Sequence, residues 1–174
     1  MWMIVLAAAL ASLVITTTNS SYAQNEKYRA KLDGNNEVPP VNTTSEGVIN
    51  FKTKNDMLTW KMNVTGISDA TGAHIHEGKI GENGEEVVDL LKVSKHKDTG
   101  SGMIMRGNVT DSSLIGSMKG QTVADLKTAM ANGDTYVDLD TASHPDGEIR
   151  GQIKLKGDNA TSSANATSLT NSTS

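Results

Sequence analysis

The segment Leu58-Thr59-Trp60-Lys61-Met62-Asn63-Val64 alternates strictly between apolar and polar residues. A β-strand sends successive side chains to opposite faces, so this pattern buries one face and wets the other. Wound into a helix, the same residues would scatter their apolar groups around the whole cylinder. The period of two recurs near the other end of the chain. There Ile149, Ile153 and Leu155 alternate with Glu148, Arg150, Gln152, Lys154 and Lys156, and Gly151 falls on the apolar side. Further strands are expected at Tyr28–Leu32, Val48–Lys52, Ala73–His76, Val87–Leu91, Gly102–Val109 and Tyr136–Asp140. Turn residues separate them, at Asn55-Asp56, at 81–84, at 97–100 and at Asp146-Gly147. Short strands with tight turns predict an all-β fold of two stacked antiparallel sheets.

One segment departs from the period of two. Thr122 reads as an N-cap with Asp125 in the first turn, and Val123, Leu126 and Met130 recur at helical spacing. Asn132-Gly133 supplies a C-cap. A single short helix is therefore expected near 122–131, packed on the sheets.

The ends of the chain differ from its middle. Residues 2–15 are almost wholly apolar and are followed by Ser21-Tyr22-Ala23, a small-x-small cleavage site before Gln24. Residues 1–23 read as a secretory signal peptide, although Met1 alone supplies its positive charge. The alternative, an uncleaved membrane anchor, falls short of the ~20 apolar residues that a spanning helix needs. Residues 24–156 then form the folded domain, with no membrane span after signal cleavage. Residues 157–174 are nearly all Ser, Thr, Asn and Ala, too polar to offset ordering entropy, and are expected to be disordered. Six Asn-x-Thr sequons, at Asn42, Asn63, Asn108, Asn159, Asn165 and Asn171, suggest a glycosylated surface protein.

With no cysteine, the domain has no disulfides and no thiolate ligands. A formal charge of −4 without any run of basic residues argues against nucleic acid as a partner. The chemistry is concentrated in two strands. Ala73-His74-Ile75-His76-Glu77-Gly78 places two of the four histidines on one strand face. Asp138 and Asp140 share a face in the same way. If these strands are neighbours, they form a compact nitrogen and oxygen site for a divalent metal. His96 stands in a polar loop and is expected to be solvated. Met103 and Met105 alternate in a strand, and core packing is preferred to copper(I) binding for them. For Glu148 and Arg150 the expectation is a cross-strand ion-pair ladder that sets register. Pro39-Pro40 rigidifies the first loop.

Several motifs in order resemble the CHRD domain, named after chordin and widespread in secreted microbial proteins. They are Leu32-Asp33-Gly34, Glu37-Val38-Pro39-Pro40-Val41, Leu58-Thr59-Trp60, Gly66-Ile67, the His-x-His segment, Gly81-Glu82-Asn83-Gly84, Tyr136-Val137 and Gly147-Glu148-Ile149-Arg150-Gly151-Gln152. The resemblance spans about residues 27–156. It implies an immunoglobulin-like or superoxide-dismutase-like antiparallel β-sandwich. The family pattern has Asn and His where this chain has Asp138 and Asp140, so an aspartate stands in place of a third histidine.

With that pattern, the expected metal centre comprises His74, His76 and Asp140, completed by His144 or water. Glu77, Asp138 and Glu148 would orient the imidazoles from behind. One copper or zinc ion suits these donors, and no other cofactor is expected. Calcium on Asp138, Asp140, Asp146 and Glu148 is the second choice.

No catalytic set stands out, and enzymatic activity is left open. The leading expectation is a secreted or cell-surface, non-enzymatic binding module with donors for one divalent metal, and with a surface protein, a glycan or a metal ion as partner. The alternatives are a single-metal enzyme of superoxide-dismutase type and a structural subunit of a surface matrix or filament.

Overall fold

The computed structural model describes residues 26–156. The expected signal peptide, the expected disordered tail and the sequons at Asn159, Asn165 and Asn171 lie outside these residues. Ten strands form in chain order: β1 (Lys27–Asp33), β2 (Glu46–Lys54), β3 (Met57–Thr65), β4 (Ala70–Glu77), β5 (Glu86–Asp89), β6 (Ser94–Asp98), β7 (Gly102–Val109), β8 (Thr135–Thr141), β9 (Ile149–Gln152) and β10 (Lys154–Leu155). One α-helix, α1 (Val123–Asn132), precedes β8, and three single-turn 3-10 helices lie in the connections.

The alternating segments pair as antiparallel neighbours. In the β2–β3 hairpin, Phe51 stands opposite Trp60 and Ile49 opposite Met62. Met62 in turn faces Met105 across β3 and β7. All five side chains are buried, and Met103 joins them in the core as the sequence predicted. Each such large apolar group contributes about 1.5–3 kcal/mol on burial. Asn55, at the tip of the hairpin, takes the left-handed conformation at φ 53° that asparagine tolerates better than most residues.

The strands run in the order β5-β4-β8-β9-β1-β2-β3-β7-β6, with β10 beside β1. Two separate sheets were expected, whereas here the two layers are halves of one curled sheet. The junction is narrow: β9 registers with β1 only through Asp33 and Arg150. Another difference concerns the segment around His96, where Ser94-Lys95-His96-Lys97 is expected to be a polar loop and Asp98 part of a turn. The segment is an edge strand paired along β7, with His96 opposite Met105 and exposed. Its sequence, Ser-Lys-His-Lys-Asp, lacks an apolar face because backbone pairing alone holds it, and its charges suit an edge.

The helix forms where its caps predicted. Thr122 accepts from the Asp125 backbone N–H, Asp125 accepts from Thr122 in return, and Gly133 closes the helix at φ 75°. Val123, Leu126 and Met130 face the core. Lys127 pairs with Glu26 at 2.8 Å, and Tyr28 Oη donates to the Lys127 carbonyl at 3.3 Å, which ties the helix to the start of β1. Among the described residues, no helix is long and apolar enough to cross a membrane.

Strands β4, β8 and β9 lie side by side, and this arrangement positions the site. Ala73, Ile75, Val137, Leu139, Ile149 and Gly151 point into the core. By parity, the opposite face carries His74, His76, Tyr136, Asp138, Asp140 and Arg150. That face is polar, yet the loops at 37–41 and 79–85 cover much of it, leaving Tyr136, Asp138 and Arg150 buried.

Candidate metal centre

Strands β4 and β8 bring the two sequence motifs together. His74 stands directly opposite Asp138, His76 opposite Tyr136, and Gly72 opposite Asp140. His74 Nδ1 lies 3.6 Å from Asp138 Oδ1 and 3.3 Å from Asp140 Oδ2. His76 Nε2 lies 3.1 Å from Asp138 Oδ2. Ligand atoms of His74, His76 and Asp138 all fall within 4.8 Å of one another. Asp138 is therefore shared by both imidazoles. Asp140 contacts His74 alone, a reversal of the emphasis drawn from the sequence.

The surrounding groups fix the rings. His76 Nδ1 is 3.0 Å from the Gly84 carbonyl. A carbonyl can only accept, so Nδ1 carries the proton and Nε2 is the atom turned toward Asp138. The His76 ring stacks on Tyr136 at 5.0 Å between centroids, with 9° between planes. The Arg150 guanidinium carbon sits 3.4 Å from the centre of the same Tyr136 ring. Arg150 also donates to Asn83 Oδ1 at 2.8 Å and to the Glu82 carbonyl at 2.6 Å. These bonds staple the 79–84 loop over the site and hold Gly84 against His76. On the other side of the site, His74 Nε2 faces Glu86 Oε1 at 3.8 Å.

The electrostatics follow from this crowding. Burial works against a charged His74. The contacts with Asp138 and Asp140, and the charges of Asp138 and Glu86, prevail and push its pKa up to about 10. His76 is raised against its burial by Asp138 and the Gly84 carbonyl. Burial pushes Asp138 upward, yet the two imidazoles hold it below the usual carboxylate value. Glu37 is raised to about 7, by burial first and then by the charge of Asp138. Its Oε1 is buried and has no hydrogen-bond partner.

Three residues expected at the site lie elsewhere. His144 occupies a turn after β8, its Nδ1 3.4 Å from Glu148 Oε2. Glu148 accepts from Thr43, Ser45 and Thr141 at 2.8–2.9 Å and is held low by these bonds despite partial burial. Glu77 accepts from Ser117 Oγ at 2.5 Å. The expected ladder of Glu148 and Arg150 is absent: the carboxylate is satisfied by hydroxyls, and the guanidinium by loop oxygens and the Tyr136 ring. Asp146 is exposed. Among the described residues, the group with ligand atoms close enough to share an ion is His74, His76 and Asp138, and it includes neither Asp146 nor Glu148 of the calcium arrangement weighed from the sequence.

The sequence reading missed Gly72, Gly84, Glu37 and Glu86. A Cβ at Gly72 would overlap Asp140 Oδ2 and His74 Cε1, so only glycine lets those two side chains meet. The glycine two residues before His74 was the available signal, because it lies on the same strand face. Gly84 and Glu37 act from loops, where no periodicity marks them.

This curled antiparallel sheet with a histidine–carboxylate cluster on its loop-covered face defines a small β-sandwich domain built around a polar site. The CHRD domain description matches residues 28–153, and the chain belongs to this family. No curated protein and no solved structure matches it.

Proposed function

We propose that this CHRD-domain chain is an extracytoplasmic, non-enzymatic binding module that holds one zinc or copper(II) ion between His74, His76 and Asp138. One observation carries the reading. His76 Nε2 and Asp138 Oδ1 are both buried without a hydrogen-bond partner, although Nε2 lies 3.1 Å from the other oxygen of the same carboxylate. With the ring proton on Nδ1, a neutral His76 presents a lone pair to an anion. Only a cation resolves that contact, either a second proton on the ring or a metal ion between the two groups.

The donor chemistry favours a borderline metal. Two imidazoles and one carboxylate suit zinc or copper(II) better than a hard oxygen-seeking ion. Ligands about 2.0–2.2 Å from a tetrahedral zinc are separated by roughly 3.3–3.5 Å. The separations of 3.1 and 3.6 Å between the imidazoles and Asp138 bracket this spacing. The Gly84 carbonyl on His76 and Glu86 near His74 supply the outer partners that metal-bound histidines usually have. Asp140, 3.3 Å from His74, is placed to take the fourth position or to orient that ring. The apolar leader and the sequons, three of which (Asn42, Asn63 and Asn108) are exposed in the fold, support an extracytoplasmic location.

The test is elemental analysis of natively purified chain beside a His74→Ala/His76→Ala variant. About one zinc or copper per chain is expected, and it should be lost in the variant. Absence of stoichiometric metal from a native preparation that also fails to take up added zinc or copper would overturn the reading.

A further inference from the structure

Although the protein is acidic overall, its cations are concentrated on the solvent face of β10, β1, β2, β3, β7 and β6. Cross-strand register aligns Lys154, Arg29, Asn50, Lys61, Arg106 and Lys95 as directly opposed neighbours across six strands. Five of the six carry positive charge, and the row spans about 24 Å at the usual strand spacing. The row on one side includes Lys27 opposite Lys52, and the row on the other begins with Lys31 and ends at Lys97. These nine cationic side chains are exposed. None of them forms an ion pair among the described residues, and the three rows contain no carboxylate.

Directly opposed like charges destabilise a sheet. A structural role would intersperse acids, and this chain has more acids than bases. On the same face, Asp33 opposite Glu46 stands beyond the last row, at one end of β1 and β2, whereas Glu77, Glu86, Asp89, Asp138 and Asp140 lie on β4, β5 and β8. The basic face also has relief. A groove of about 570 Å³ is lined by Arg29, Lys31, Lys154 and Lys156, with one carboxylate, Asp33, and the exposed Ile80 also in its lining. A second, of about 200 Å³, is lined by Lys61, Lys95, Lys97 and Arg106 at the other end of the row.

We infer that this face binds a linear acidic polysaccharide whose carboxylate or sulfate groups lie along the row of cations. Regular spacing and lack of interspersed acids match a polymer with repeated charge. Aromatic side chains, the platforms on which single-stranded nucleic acids stack, are absent from the exposed face: Tyr28, Phe51, Trp60 and Tyr136 are all buried. Among the described residues, the only large exposed apolar side chains are Ile80 and Ile115, too few to enter a lipid surface. Ile80 instead offers an apolar flank to the C–H face of a sugar ring.

The experiment measures binding of the full chain, made in a non-glycosylating host because Asn63 and Asn108 share this face, to polygalacturonate at low salt. Binding that weakens steeply with added salt is expected. The triple variant Arg29→Gln/Lys61→Gln/Arg106→Gln should bind at least tenfold more weakly and, without polymer, melt at the same temperature or higher. The single variants Lys61→Gln and Arg106→Gln should each weaken binding several-fold and serve if the triple variant misfolds. No binding by the parent chain, or undiminished binding by the variants, overturns the inference. Equal or tighter binding to duplex DNA or to anionic vesicles, with the same sensitivity to the variants, overturns the assignment to a polysaccharide. The outcome is independent of metal content at His74 and His76.

Discussion

His76 and Asp138 approach to 3.1 Å without forming a hydrogen bond, and the opposite ring nitrogen of His76 is committed to the Gly84 carbonyl at 3.0 Å. On the proposed metal-binding reading, a proton and a metal ion compete for the same lone pair. Much of the expected behaviour of the protein follows from that competition.

Metal affinity should rise with pH. Both imidazoles are biased toward their protonated forms by the neighbouring carboxylates, so binding a metal must expel protons. Between about pH 6 and pH 9, affinity is expected to climb by roughly tenfold per unit for each proton displaced. Calorimetric titration with zinc in buffers of different ionisation enthalpy measures that proton count directly. A pH-independent affinity would contradict it.

Without metal, stability should run the opposite way. The folded-state pKa of His74, about 10, lies above its ordinary value of 6.5, so the folded protein holds this proton more tightly than the unfolded chain does. Its contribution is fully present below pH 6.5 and is lost as pH rises toward 10. Melting temperatures of chelator-treated protein should fall across this window, and His74→Gln should flatten the decline. Zinc added at pH 8–9 should restore stability to the parent chain but not to the variant.

Glu37 is expected to oppose folding once it ionises. Its pKa is raised from 4.5 to about 7 by burial and the Asp138 charge, so its proton is lost later in the folded state than in the unfolded one. Stability from this group is present below pH 4.5 and is lost as pH rises through 7. Glu37→Gln should therefore be neutral at pH 4 and stabilising by about 1 kcal/mol at pH 8. Urea denaturation at the two pH values decides this.

Gly72→Ala tests the close approach of His74 and Asp140. The added methyl group must displace one or both side chains, because its carbon would overlap Asp140 Oδ2. Metal affinity should drop roughly tenfold, as it does when supporting groups of a metal centre are disturbed. Melting in the absence of metal, followed by circular dichroism, distinguishes a loss of affinity from a loss of fold.

Arg150→Lys removes the fork that reaches Asn83 and Glu82, and the flat contact with Tyr136. Lysine supplies the charge but not the planar, multiple donation. A loss of about 2 kcal/mol is expected, with hydrogen exchange accelerating first across residues 79–84.

The alternation around Trp60 and the caps of α1 were legible because they depend on local geometry: side-chain parity along a strand and backbone groups at a helix end. For the same reason, β6 was missed. Its register comes from β7, and its own residues show no apolar face. The site was half legible. His74 and His76 share a face by parity alone, as do Asp138 and Asp140. Which carboxylate stands between the imidazoles depends on register, and a slip of two residues would exchange Asp138 for Asp140.

Local patterns in the chain specify an all-β domain with one capped helix, a His74/His76 pair and an Asp138/Asp140 pair each on one strand face, and cations spread without any basic run. Strand pairing and core packing set β4 beside β8 with His74 opposite Asp138, and bring loops from residues 37 and 84 over the pair. They also gather Lys154, Arg29, Lys61, Arg106 and Lys95 into one row. The physical reason is common to both. Parity within a strand is fixed by the backbone, whereas neighbours across strands are chosen by the packing of a core shared by residues far apart in the chain.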